Sequence, residues 1–270
     1  MDACDNIYRN HGHSMTSPRM KIGLLTINQS QYGKDILEEF NRRKIPIDCI
    51  FIVQDTTQRK IKLFQRVVQK LDWPNAIILT LFRLIQGFAH STGTFCYENF
   101  FNNTFYFNSV HSKELIQTVQ DQAVDLLILG ESGIVKEELI NSVRIGTINA
   151  HPGILPDYRG LDPSLWAIFN GDNDKIGSTL HWVDAGIDTG RIIAKKKYDF
   201  QGGENIFNIE PRIMKDCVSL ISNSIEKGSI GSPQNYAEQD NAKSFYTFKM
   251  PFRYLYKTSR KLKTLLEFKF

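Results

Sequence analysis

Lys21-Ile22-Gly23-Leu24-Leu25-Thr26-Ile27 is an apolar run of strand length that ends in the polar loop Asn28-Gln29-Ser30-Gln31-Tyr32-Gly33. Beyond it, Ile36, Leu37 and Phe40 recur at the spacing of one helix face, and Cys49-Ile50-Phe51-Ile52-Val53 forms a second apolar run. Strand, helix and strand in that order imply a right-handed parallel crossover. The expected fold is therefore α/β: a Rossmann-like, mostly parallel sheet with helices on both faces, plus a small C-terminal appendage. Ligands in such sheets bind beyond the carboxyl ends of the strands. That makes Asn28, Gln29, Ser30 and Tyr32 candidates for an acceptor pocket, although the residues read equally well as an ordinary polar turn.

Further along, Leu115, Ile116 and Val119 mark a helix leading into Val124-Asp125-Leu126-Leu127-Ile128-Leu129-Gly130, the best central-strand pattern in the chain. A shorter strand, Gly146 to Ile148, runs into Asn149-Ala150-His151-Pro152-Gly153-Ile154-Leu155-Pro156-Asp157-Tyr158-Arg159-Gly160, where two prolines stop any regular element. Side chains on a strand alternate faces, so Asn149 and His151 share a side. An amide donor beside an imidazole suits acyl transfer: the first polarises a carbonyl, the second moves protons near neutral pH. A group to orient or charge the imidazole is offered by Asp184-Ala185-Gly186-Ile187-Asp188-Thr189-Gly190, after the strand-like Ser178 to Val183. Singly, Asn149 is a turn former, Asp188 an Asx turn, and a strand histidine such as His181 a satisfied core residue. His151 differs, because a core strand does not tolerate two prolines beside it.

The two motifs resemble those of the folate-dependent formyltransferase family. They read Asn-x-His-Pro-x-x-Leu-Pro-x-Tyr-Arg-Gly from Asn149, then Gly-x-Thr-x-His-x-Val-Asp-x-Gly-x-Asp-Thr-Gly from Gly177. The likeness runs more weakly from about Met20 to Lys196. It implies 10-formyltetrahydrofolate as formyl donor and Asn149, His151 and Asp188 as the catalytic trio. Asn149 would hydrogen-bond the formyl oxygen, His151 would stabilise the oxyanion or relay the proton, and Asp188 would orient His151 or a bridging water. It also implies folate contacts from Gly133, Ile134, Val135, Gly153, Ile154, Leu155 and Asp184, the first three meeting the pteridine ring largely through backbone. Tyr158 and Arg159 either touch substrate or fix the loop.

Family members include glycinamide ribonucleotide formyltransferase, methionyl-tRNA formyltransferase and the sugar-nucleotide N-formyltransferases. The first loop departs from the Gly-Asn-Gly-Ser type of the purine enzymes, which counts against that acceptor. Methionyl-tRNA transfer goes with a C-terminal barrel-like domain, and the stretch from about Ser229 is short for one. Tyr-Arg-Gly-Leu-Asp-Pro-Ser-Leu-Trp and His181-Trp182-Val183-Asp184 are most similar to the sugar-nucleotide subgroup. The expected reaction is formyl transfer to the amine of a nucleotide-linked amino sugar, of dideoxy-amino hexose type. Alternatives are glycinamide ribonucleotide as acceptor, or water, as in formyltetrahydrofolate hydrolase. By analogy with related sugar enzymes a homodimer is expected.

Residues 1–19 are polar and aperiodic and read as a disordered extension in which His11 and His13 favour a solvated tail over a paired-histidine metal site, being so few ligands. Residues 20–200 then form the catalytic domain, and 201–270 a helix with a small appendage. Ile61, Phe64, Val67, Val68 and Leu71 predict a helix over 57–71, and a second is expected over 75–88. Phe95 to Phe107 is crowded with aromatics, which read as packing or as a shelf for a base. Asp162 is placed to cap a helix starting at Pro163, Ile192-Ile193-Ala194 opens a strand, and a helix is expected from Pro211 to Lys227. Phe252 to Phe270 interleaves Arg253, Lys257, Arg260, Lys261 and Lys263 with Tyr254, Tyr256, Leu262 and Leu265, as a docked helix with a basic solvated face does.

With 270 residues, 41% hydrophobic, the chain can bury one good core, and its net charge of +4 is too small to argue for nucleic acid. Cys4, Cys49, Cys96 and Cys217 are scattered without metal-type spacing and read as free thiols of a cytoplasmic protein. No apolar run reaches membrane-span length, so no membrane partner is expected.

Overall fold

A computed structural model describes residues 19–54, 103–240 and 244–269. The expected helices over 57–71 and 75–88, the extension to residue 18, Cys4, Cys96 and the aromatics from Phe95 to Phe101 lie outside them.

Seven strands form the main sheet: β1 Ile22–Ile27, β2 Cys49–Val53, β3 Thr104–Phe107, β4 Leu126–Gly130, β5 Gly146–His151, β7 Gly177–Trp182 and β8 Ile192–Lys197. Their order is β3-β2-β1-β4-β5-β7-β8. The first five are parallel, while β7 runs antiparallel to both β5 and β8. The α/β, Rossmann-like reading is therefore correct. The order reverses between β1 and β4, and their carboxyl ends flank the crevice where such sheets take ligands.

Helix α1, Gln31–Arg43, begins where Ser30 Oγ accepts the Gly33 amide at 3.0 Å, and it ends at Lys44 in the left-handed conformation. Gly33 has a packing reason: a Cβ there would lie 2.3 Å from Thr26 Oγ1, so only glycine lets the helix sit so close to β1. One face of the sheet buries Leu24, Ile50, Ile128 and Ile148 under α1 and α5, Ile209–Glu226. The other face buries Leu25, Phe51, Leu127 and Leu129 under α2, Lys113–Asp121, and the short α3, Glu137–Ile140. Each such fully buried side chain contributes roughly 1.5–3 kcal/mol by leaving water. Of the aromatic shelf, Phe105 and Phe107 pack on Phe51 at ring separations of 5.8 and 6.4 Å.

Helix α5 starts two residues before the expected Pro211. Proline is tolerated in the first turn, where its missing N–H has no helical acceptor. Asp162 precedes α4, Pro163–Asn170, but its carboxylate makes no cap bond. It accepts instead from Lys249 Nζ at 2.6 Å and from the Met250 amide at 2.8 Å, which ties the appendage down.

The appendage pairs strand β9, Phe245–Thr247, in parallel with β6, Tyr158–Gly160, so it clamps the proline-rich loop from outside. Gly160, at φ 91°, is required here: a Cβ would meet the Thr247 carbonyl oxygen at 2.3 Å. Helix α6, Phe252–Lys269, docks Leu262 in a third core cluster with Trp166 and Met250 and buries Thr258 against the Met250 sulfur, while Arg253, Lys257, Arg260, Lys261 and Lys263 stay exposed.

Candidate active site

Strand β5 presents Thr147, Asn149 and His151 on one face, and β7 places His181 opposite Asn149 and Thr179 opposite His151. The loop after β7 folds back over that face and delivers Asp188, which adopts φ 53°. A non-glycine residue in this region is strained and persists only where its surroundings hold it. Four of the six such residues among those described, Gln29, Glu131, Asp162 and Asp188, lie in or beside the loops singled out from the sequence.

Asp188 Oδ2 lies 3.5 Å from His151 Nδ1 and accepts the Gly160 amide at 3.0 Å; Oδ1 lies 3.6 Å from His181 Nε2. His151 Nε2 donates to the Tyr158 carbonyl at 3.0 Å, since a carbonyl can only accept. Neutral His151 therefore carries its lone pair on Nδ1, facing the carboxylate, and a proton arriving there completes an ion pair. Burial pushes the His151 pKa down, against the pull of Asp188, so the imidazole is neutral at neutral pH. For Asp188 burial acts upward, but His151, His181 and the Gly160 amide outweigh it and hold the carboxyl well below the usual range. An ionised carboxylate beside a neutral, desolvated imidazole is a proton-accepting pair.

His181, read from the sequence as a satisfied core residue, is one, with its Nδ1 bonded to the Trp182 carbonyl, and the structure adds what its other nitrogen faces. It is buried, yet its Nε2 is 3.3 Å from Asn149 Nδ2 and faces Asp188. The signal was present: Asn149 and His181 occupy facing positions on paired strands, but the pairing cannot be read without the register. Gln239 was also missed. Its Oε1 accepts from Arg159 at 2.8 Å, and its Nε2 donates to the Asp188 and Gly190 carbonyls at 3.1 and 2.5 Å. It fastens the two motif loops together from a stretch with no periodicity.

Tyr158 and Arg159 are not brought to the open face. Arg159 is fully buried among Gln239 and Tyr246, and the Tyr158 hydroxyl bonds Asp172 and Asn170. Burial, then Asp172, pushes the Tyr158 pKa up to about 12. Both side chains fix the loop. Gly153 and Leu155 bond Thr179, and Ile154 is buried beside Gly177, so this segment packs between strands. Asn28 is half-buried and Gln29 exposed at the end of β1, and Ser30 bonds Glu131 across the crevice.

A cavity of about 350 Å³ opens at Thr147, Val183, Ile140, Val143 and Asp184, and runs on to Trp182 and Pro233. Thr147 sits two residues from Asn149 on the same strand face, about 7 Å away. Its Oγ1 is buried without a hydrogen-bond partner among the described residues, as is Trp182 Nε1. Apolar walls with orphaned polar atoms fit a flat heteroaromatic ring that has donors and acceptors on its edge. Asp184 turns its own Oδ1 to Gly186 and Thr189. Gly133, at φ 80°, and the exposed Ile134 follow β4, and Val135 is buried beneath them. No cluster of metal-ligating side chains occurs among the described residues, and none of their helices is long and apolar enough to cross a membrane.

An amide and an imidazole at the carboxyl end of β5 thus meet a carboxylate from the loop after β7, in a Rossmann-like sheet. The family profile described as formyl transferase matches residues 20–225, and the chain belongs to that family, whose formyl donor is 10-formyltetrahydrofolate. A methionyl-tRNA formyltransferase of Fusobacterium nucleatum is 29% identical over 194 residues, covering 69% of this chain and 57% of the relative. The chain spans about half the length of the curated relatives it matches. A sugar N-formyltransferase from Shewanella superposes with a TM-score of 0.51 at 18% identity, covering 85% of this chain and 77% of that one. A glycinamide ribonucleotide transformylase from Symbiobacterium toebii gives 0.53 at 19%, covering 84% and 93%. At such identities these two likenesses show the fold.

Proposed function

We propose that this chain transfers the formyl group of 10-formyltetrahydrofolate to the amine of a nucleotide-linked amino sugar. The observation that carries formyl transfer is the meeting of Asn149, His151 and Asp188 beside a cavity whose orphaned Thr147 hydroxyl lies one pleat away. The folate supplies an activated formyl group. Ile140, Val143, Thr147 and Val183 would hold its ring system, leaving the formyl end at Asn149. There Asn149 donates an N–H to the oxygen on which charge develops, and His151 Nδ1 takes the proton shed by the attacking amine. Asp188 balances the imidazolium that results, and that proton would pass on to the folate nitrogen as its bond to the formyl carbon breaks. No nucleophilic side chain is needed, and none is present in the cluster.

The sugar acceptor is supported by the Tyr158–Trp166 and His181–Asp184 motifs, and by exposed Tyr246 on the strand that covers the Arg159 loop and exposed Phe248 just after it. Aromatic faces of this kind suit a nucleoside base. Methionyl-tRNA is the second reading, favoured by the names of the curated relatives. The deciding experiment presents the protein and 10-formyltetrahydrofolate with dTDP- and UDP-linked amino sugars, charged methionyl-tRNA, glycinamide ribonucleotide and no acceptor, reading formyl-product and formate. Formylation of a sugar nucleotide supports the proposal. Exclusive formylation of methionyl-tRNA or glycinamide ribonucleotide, or formate release alone, replaces it.

A further inference from the structure

We infer that His181 is a positioning residue which fixes the direction of the Asn149 amide, resting on the formyl-transfer reading above. His181 Nδ1 lies 2.7 Å from the Trp182 carbonyl oxygen. Because a carbonyl only accepts, the ring proton is on Nδ1, and neutral His181 carries its lone pair on Nε2. That lone pair is 3.3 Å from Asn149 Nδ2, the nearer of its two polar neighbours, with Asp188 Oδ1 at 3.6 Å. The amide must therefore turn its NH2 toward the ring. Rotated by half a turn, its oxygen would face another acceptor and the buried bond would be lost.

One of the two Nδ2–H bonds is thus taken by His181. The second N–H and the carbonyl Oδ1 remain for a substrate on the half-exposed side of Asn149. Those two groups have opposite polarity, as the reaction needs: a donor for the formyl oxygen and an acceptor for an N–H of the incoming amine. Asn149 is held in this sense because β5 and β7 are paired in the register that sets it opposite His181. A histidine with a purely structural role would need only its Nδ1 bond to Trp182.

Two substitutions separate these roles. In His181→Asn the side-chain amide replaces Nδ1 and keeps the bond to Trp182, but nothing reaches Asn149. In His181→Gln the terminal amide oxygen takes the place of Nε2 and can accept from Asn149, but the Trp182 bond is lost. His181→Asn is expected to lower kcat about ten- to a hundredfold with the KM for the folate little changed, and His181→Gln to recover most of that loss. The reverse ranking, or an equal loss in both, overturns the inference.

A second measurement on the wild-type protein needs no turnover and no substitution at His181. The Asn149 side-chain ¹⁵N signal, assigned by its disappearance in Asn149→Ala, should show a through-bond N–N coupling to an unprotonated His181 Nε2. Its absence overturns the inference even if the variants fail to fold. If no acceptor is formylated by the wild-type protein but the coupling is seen, the formyl-transfer reading fails while the orientation of Asn149 stands.

Discussion

At the amino ends of the strands, Asp48 accepts the Ile22 amide at 2.8 Å and Arg19 at 2.5 Å, and Asp125 accepts the Lys21 amide at 2.8 Å with Arg144 2.5 Å away. At the other end, Asp188 has one backbone amide and two imidazoles around it, from a backbone conformation that L-residues avoid. Partners at the amino end keep one charge state across physiological pH. Two of those around Asp188 are imidazoles, the side-chain type that can take up and release a proton during a reaction. A buried or half-buried carboxylate is thus structural or chemical according to what faces it.

The sharpest test of that contrast is a matched pair. Asp188→Asn should lower kcat by about a hundredfold or more, because the imidazolium formed in the reaction loses its counter-charge. Asp125→Asn should destabilise the fold by about 1–3 kcal/mol while kcat per folded molecule is unchanged. Steady-state kinetics with thermal melts read both, and a comparable fall in kcat for Asp125→Asn would break the comparison. Next in size, Asn149→Ala should cost on the order of a hundredfold in kcat through loss of the oxyanion donor. Gln239→Leu removes the fastener between the motif loops and should cost about tenfold, with some loss of stability.

The pH profile sharpens the same point. Burial holds the His151 pKa below its ordinary value, so kcat/KM should stay flat through neutrality and fall on the acid side, where the proton acceptor is filled. In Asp188→Asn the larger of the two influences opposing burial is gone and only the Tyr158 carbonyl remains, so the acid limb of the residual activity should move to lower pH. A limb that moves upward means His151 is not the group being titrated. For stability, the depressed His151 and Asp188 values both act so that the folded form is favoured at higher pH. The His151 share is lost as pH falls through its folded value, and the Asp188 share only in strong acid.

The fold and the trio were legible because their signals are local. Apolar runs at Ile22–Ile27 and Leu126–Gly130 declare buried strands, and the prolines that follow His151 end β5 at that residue, later than the Ile148 expected from the sequence. What stayed hidden depends on register or on distant partners. His181 looks like any strand histidine until β5 and β7 are paired two residues at a time. Arg159, charged and in a loop motif, reads as a ligand-binding group, yet the appendage supplies Gln239 and Tyr246 from some 80 residues away and closes over it. Asp162 has the position of a helix cap, but Lys249 and Met250 claim its carboxylate.

That last cluster gives the smallest expected effect. Glu210, in the first turn of α5, shares a hydrogen bond with Asp162, so the sheet-covering helix, the catalytic loop and the appendage meet at two carboxyls and Lys249. Burial, with the Asp162 charge, pushes the Glu210 pKa up to about 7, against the pull of Lys249. A carboxyl whose folded value is raised stabilises the fold fully below its unfolded value, and this contribution is lost as pH rises through about 7. The wild-type melting temperature should therefore drop by a few degrees between roughly pH 5 and pH 7 and level off above that. Glu210→Gln, which keeps the hydrogen bond without the charge, should flatten that drop and melt higher than wild type at the alkaline end. Thermal melts across the range read this directly. An undiminished slope in the variant would place the pH sensitivity elsewhere and leave the Asp162 cluster a simple tether, like the carboxylates at the amino ends of the sheet.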